Sequence, residues 1–128
     1  MKNILAKYSD YGYVAFRVIV GLVFLLHGVM KVQGIMAGKM AFMSLMGLAA
    51  VIETLGGAML IVGLLVQYVA LISAVEMIVA YFMAHASSGL SPLANKGEPA
   101  VLFFAAFLVL ATFGARKWAL DAQSKSDQ

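Results

Sequence analysis

The stretch AFMSLMGLAAVIETLGGAMLIVGLL (residues 41–65) decides the fold. It is apolar for long enough to cross a bilayer, which takes about 20 helical residues. Yet it carries Glu53 near its middle. The run YVALISAVEMIVAYFMAHA (68–86) does the same with Glu76. A charged side chain at membrane depth costs roughly 2.5–3.5 kcal/mol even on lenient insertion scales. Such residues usually face a bundle interior and mark a candidate site.

Two further apolar runs flank these, at residues 13–32 and 99–114. The 128-residue chain is 63% hydrophobic and only 12% charged, with a mean hydropathy of +0.96. A soluble domain is about 45–50% apolar and about 25% charged. The chain therefore reads as an all-α integral membrane protein, a four-helix bundle running up-down-up-down. Its expected spans are 13–32, 42–65, 68–86 and 99–114. The length leaves no room for a soluble catalytic or nucleotide-binding domain. Val66 and Gln67 allow only a tight turn between the second and third spans, making them antiparallel neighbours. SSGLSPLANKGEP (87–99) is a loop by composition. Residues 1–12 read as a polar N-terminal segment and 116–128 as a disordered tail. The N-terminus has the charge of a signal-peptide leader, but its apolar run is long, holds Arg17 and precedes three more spans, so it reads as a retained helix.

The net charge of +3 is small, and the basic residues lie at span ends. That pattern controls topology rather than binding nucleic acid. Lys2, Lys7, Arg116, Lys117 and Lys125 fall on one side, and Lys31, Lys39 and Lys96 on the other. This bias places both termini in the cytoplasm of a multi-pass plasma- or inner-membrane protein. Cysteine is absent, which excludes a dithiol centre, an iron–sulfur cluster and a thiolate-ligated haem within the chain. No metal site is expected.

Helical spacing gathers the polar residues into stripes. Arg17, Gly21, Phe24, His27, Gly28 and Lys31 share one face of the first span, opposite Ile19, Leu22, Leu26 and Met30. Glu53 shares a face with Ala49, Ala50, Gly56 and Gly57, and Glu76 with Ser73 and Ala80. Small residues let membrane helices approach closely, so Gly21, Gly28, Gly56 and Gly57 are expected at helix contacts. Depth along the helices favours an Arg17–Glu53–Glu76 cluster, in which one arginine meets two carboxyls. Either one carboxyl holds a proton or another cation enters. A second group, His27, Lys31, His85, Lys96 and Glu98, falls at the outer boundary, where it could line a pocket for an anionic or quinone-like ligand. The plain alternatives are a structural ion pair at Glu53 and Glu76, an Arg17 that reaches the inner headgroups, and solvated helix ends elsewhere. Tyr8, Tyr11, Tyr13 and Trp118 read as interface anchors.

FRVIVGLVFLLHGVMK (16–31), AAVIETLGGAMLIVGLL (49–65) and NKGEPAVLFFAAFLVLATFGARKWALD (95–121) together resemble the DoxX family. Arg17, Gly21, His27, Gly28 and Lys31 resemble its first helix. Glu53 with Gly56, Gly57 and Gly63 resembles its second. Gly97 and Glu98 resemble its loop into the fourth, and Asp121 its terminal signature. The resemblance implies a four-helix membrane protein associated with quinone-linked redox systems. On this reading the chain is a membrane subunit of an oxidoreductase, with no intrinsic cofactor and a quinone bound between its helices. Its partners are the lipid bilayer, an oxidoreductase subunit and further copies of itself. Two other classes stay open: a small-solute transporter or binding protein, and a scaffold for other membrane proteins.

Overall fold

The computed structural model describes residues 4–126. All regular structure among them is helical. After a short 3-10 turn at Ile4–Tyr8 come α1 (Ser9–Met36), α2 (Leu45–Val62), α3 (Val66–Ala80), α4 (Glu98–Phe113) and α5 (Leu120–Ser126). Beyond α3 the chain winds on through a wide π turn, Tyr81–His85, and a 3-10 turn, Ala86–Ser88. Three helical stretches are long and apolar enough to cross a membrane: Ile4–Met36, Leu45–Val62 and Val66–Ser88. The fourth, Glu98–Phe113, is apolar but has 16 residues. At about 1.5 Å per residue it is some 24 Å long.

Local chemistry sets the boundaries. Ser44 caps α2, its hydroxyl accepting from the Gly47 N–H at 3.2 Å, the usual service of a helix-capping serine. Gly63 ends α2 at φ +73°, in the left-handed conformation glycine adopts without penalty. The turn into α3 is therefore Gly63–Leu65, and Val66 already belongs to the helix.

Helices α1 and α2 pack closely and antiparallel from Arg17 to Lys31, because glycines remove the side chains between them. A Cβ on Gly57 would lie 2.5 Å from the Leu25 nitrogen, one on Gly21 2.9 Å from the Gly57 carbonyl oxygen, and one on Gly28 would collide with the Thr54 nitrogen. Helices α3 and α4 form the other close pair; contact between the two pairs is lighter. Phe24 joins them, stacking edge-on against Phe107 at 4.8 Å and meeting Phe103 at 5.5 Å. The buried stripe of α1 is Arg17, Gly21, Phe24 and Gly28. Ile19, Leu22, Leu26 and Met30 on its other face are exposed, as lipid contact requires.

The expectation of a disordered tail is corrected. Ala115 and Ala119 are buried, and α5 follows. Asp121 at its start accepts from the N–H groups of Leu65 and Val66 at 2.7 and 3.0 Å. It caps the otherwise unsatisfied first turn of α3. Composition suggested disorder because the anchoring is done by the backbone and one carboxylate, not by apolar bulk. Lys2 lies outside the described residues.

Candidate functional site

The antiparallel register of α1 on α2 decides which charges meet. Arg17 lies beside Leu60, Gly21 beside Gly57 and Gly28 beside Thr54. Lys31 therefore arrives opposite Glu53. Its ammonium donates to both carboxyl oxygens, at 3.0 and 2.7 Å. Glu53 is buried, with a side chain 6% exposed against 19% for Lys31. The expected Arg17–Glu53–Glu76 cluster is thus corrected: its cation is Lys31. Arg17 sits about two helical turns away along α2. Lys31 turns inward instead of joining the outer group.

Glu76 comes from α3 to the same place. The Glu53 carboxyl lies against it, and Lys31 is near enough to act on it electrostatically. Both Glu76 carboxyl oxygens are buried and meet no hydrogen-bond donor. One turn earlier on α3, the fully buried Ser73 hydroxyl is also unpartnered, and it packs against Gly56, where a Cβ would lie 3.7 Å from it. Two carboxyl groups here face one ammonium.

Next to this triad is a cavity of about 260 Å³. Phe24 and His27 of α1, Glu53 of α2, Met77 and Ala80 of α3, and Pro99, Ala100 and Phe103 of α4 line it, together with His85 and Lys96. It lies in the seam between the two helix pairs. His27 stands edge-on to the Phe103 ring at 5.6 Å. His85 Nδ1 is 3.1 Å from the Asn95 carbonyl oxygen. A carbonyl only accepts, so Nδ1 carries the proton and Nε2 is the remaining nitrogen. Lys96 holds a left-handed backbone at φ +61° and forms part of the wall. Glu98, expected in this group, stands exposed at the head of α4 and does not line the cavity. Its place in the first turn still complements the helix dipole.

Two residues of this end escaped the sequence reading. Asn95 is buried, donates to the Gly89 carbonyl at 2.8 Å and the Tyr81 hydroxyl at 3.1 Å, and accepts from the Gly97 N–H at 2.8 Å. Tyr81 donates on to the Leu90 carbonyl at 2.6 Å. Together they hold the loop that carries Lys96. The π turn is part of the same device: it rotates Tyr81 and His85 relative to an α-helical continuation, and such turns gather at functional sites. Gly97 is fixed by contact, since a Cβ there would lie 2.7 Å from the Tyr81 ring. An asparagine between proline and glycine was the available signal.

Arg17 anchors the other end. It is 1% exposed. Nε donates to the Leu60 carbonyl at 3.1 Å, Nη1 to the carbonyls of Ala115 and Lys117, and Nη2 to that of Trp118 at 2.8 Å. It does not reach outward to headgroups. Tyr13 adds a hydrogen bond to the Gly114 carbonyl at 2.6 Å. Outside the apolar run, Lys117 pairs with Asp10 at 2.9 Å. That hydrogen bond holds the Asp10 carboxyl below its ordinary range, and the same pairing raises Lys117. Tyr11 and Trp118 are exposed and in ring contact at 4.9 Å.

Among the described residues no group of three or more histidine or carboxylate side chains is arranged to hold a metal ion. The DoxX family model matches residues 12–86. A Haemophilus influenzae protein named only "Uncharacterized protein" is 37% identical, covering 93% of this chain and 95% of its own length. A Bacillus subtilis protein named "Putative oxidoreductase CatD" is 31% identical, over 90% of this chain and 88% of its own. No solved structure matches significantly.

Proposed function

The chain belongs to the DoxX family of membrane proteins, and on that premise we propose that it is the membrane subunit of a quinone-linked redox system. The cavity in the seam is its quinone-head site. Four helices cross in up-down-up-down order with both termini cytoplasmic. The 16-residue α4 completes its crossing with the flanking segments that Asn95 and Arg17 hold in place.

One observation carries the reading: a cavity walled by Phe24 and Phe103 and edged by His27, His85, Lys96 and Glu53. Ligand sites are mostly apolar and aromatic with a few placed polar groups, and typically measure about 300–1,000 Å³. At about 260 Å³ this one fits a single ring and leaves an isoprenoid tail to the lipid. Lys96 can donate to a ring carbonyl, the His85 Nε2 can accept from a ring hydroxyl, and the His27 imidazole offers one donor and one acceptor. The chain carries no redox group, so electrons come from a partner subunit, and the "oxidoreductase" in the name of the Bacillus relative is consistent with such a setting. The test is binding of a short-chain quinone to the purified protein in nanodiscs, with mass spectrometry of what co-purifies. Saturable binding that His27→Ala or His85→Ala weakens supports the site. Equal binding by wild type and both variants refutes it.

A further inference from the structure

We propose that the Glu53 and Glu76 carboxyl groups share one proton, and that Glu53 presents it to the cavity. This deepens the quinone-site reading and rests on it only for the identity of the group that exchanges the proton.

The inference starts from the orphaned oxygens. Both Glu76 carboxyl oxygens are buried and meet no donor, yet the Glu53 carboxyl lies against them. Two carboxyl groups cannot touch as acceptors alone; the contact becomes a hydrogen bond once one of them carries a proton. The cation paired with these carboxyls is already committed, since Lys31 donates to both oxygens of Glu53, while His27, His85 and Lys96 line the cavity on which Glu53 opens and make no ion pair with it. Like charges sharing a low-dielectric site do not both ionise. The groups facing Glu76 come from every neighbour: Lys31 on α1 and Glu53 on α2. α4 carries no charged residue after Glu98 at its exposed start. The balanced arrangement is therefore Lys31 ammonium, Glu53 carboxylate and a Glu76 carboxyl whose O–H donates to Glu53.

Position then gives the proton a use. Glu53 touches three things: Lys31, Glu76 and the cavity. Glu53, taking the shared proton from Glu76, can donate it to a ligand oxygen in the cavity, and the pair, once it has lost that proton, can take one back as a ligand O–H bond breaks. Glu76 is the store behind it, with no wall on the cavity itself. The two histidines flank the same space and offer the exit to water.

Infrared spectroscopy of the ligand-free protein in lipid tests this. An un-ionised carboxyl group gives a C=O band well above the carboxylate bands. The wild type should show such a band at neutral pH, and it should shift in heavy water. Glu76→Gln should abolish it, and so should Glu53→Gln, because either leaves one carboxylate for one ammonium. No band in the wild type, or a band that survives Glu76→Gln, overturns the shared proton. Circular dichroism confirms that each variant folds; a glutamine is close in shape to the protonated acid, and a carbodiimide label on Glu76 in the wild type gives a second readout independent of the variants. Cavity access is read by plugging it with Ala80→Phe: exchange of the band into heavy water should slow, and an unchanged rate overturns that half. Because no quinone is present, loss of the band would sink the shared proton while leaving the ring site standing, and failed quinone binding with the band intact would do the reverse.

Discussion

Replacing Arg17 by methionine would release the C-terminal segment while leaving the helices in place. The guanidinium donates to four carbonyls, of which three belong to Ala115, Lys117 and Trp118. Methionine is apolar and of similar length, so packing against Leu60 survives but the carbonyls lose their donor. A net hydrogen bond is worth about 1 kcal/mol, so the three together contribute about 3 kcal/mol to keeping the segment docked. Each 1.4 kcal/mol is a factor of ten, so the undocked population rises roughly 100-fold. Arg116 and Lys117 lie inside the released loop, and trypsin cleaves after them. When opening is fast relative to cleavage, the cleavage rate follows the open population. Limited trypsinolysis in detergent should therefore cut Arg17→Met roughly 100-fold faster there, with helical content unchanged. Arg17→Lys should fall between, because one ammonium cannot span carbonyls that a planar fork reaches. Cleavage of Arg17→Met as slow as wild type would refute the reasoning: the segment would then be held by Asp121, Tyr13 and the Asp10–Lys117 pair without Arg17.

Three more outcomes follow from the packing and the charges. Gly57→Leu forces a side chain where a Cβ alone would lie 2.5 Å from the Leu25 nitrogen; overpacking costs about 1–3 kcal/mol, and the melting temperature in detergent should drop, an unchanged value disproving the close approach. Lys31→Met leaves Glu53 and Glu76 without a cation, and breaking a buried pair costs about 3–5 kcal/mol; the double variant with Glu53→Leu should melt higher than Lys31→Met alone, and the opposite order would show that the pair is not what holds α1 to α2. The Asp10–Lys117 tie depends on pH with a definite sign. Asp10 is held below its ordinary value, so its contribution is present above that value and fades as pH falls through the lowered one; Lys117 is raised, so its contribution is present below the ordinary lysine value and fades as pH rises through the raised one. Emission of Trp118, the single tryptophan, should be flat at neutral pH and step at acid pH, and a step that persists in Asp10→Asn would assign it elsewhere.

How much of this the sequence disclosed depends on the range of the interaction. Helical periodicity is local, so the buried face of α1 was legible from Arg17, Gly21, Phe24 and Gly28, and so was its greasy back. Glu53 and Glu76 stood out because a carboxylate in an apolar run is costly unless a partner answers it. Which cation answers them was not legible. It depends on the register of α1 on α2, set by Gly21 against Gly57 and Gly28 against Thr54, and a slide of about two helical turns would bring Arg17 to Glu53 instead. Depth counted in residues ignores that register. Asn95 and Asp121 were underrated for a related reason. Each acts on backbone groups, Gly97 and Gly89 of its own loop for Asn95 and the distant Leu65 and Val66 for Asp121. Backbone donors leave no mark in the residue pattern.

The placement of the cavity follows from the same unequal packing. α1 and α2 are locked by glycines at backbone distance, and α3 and α4 form a second close pair. Between the pairs contact is lighter: α2 meets α3 through Gly56 against Val69 and Ser73, and α1 meets α4 through the rings of Phe24, Phe103 and Phe107. At one end the seam is tied across: Arg17 grips the segment after α4, and Asp121 beyond it caps α3. At the other end the tie is made within the second pair only, by Asn95, Tyr81 and His85. A seam closed at one end and joined by rings at its middle can open at the remaining end without breaking a helix pair. That is where the cavity lies and where His27, His85, Lys96 and Glu53 converge. The charges that are expensive in a membrane are thus gathered where the fold is least committed, and a ring-shaped ligand there would complete the contact between the two halves.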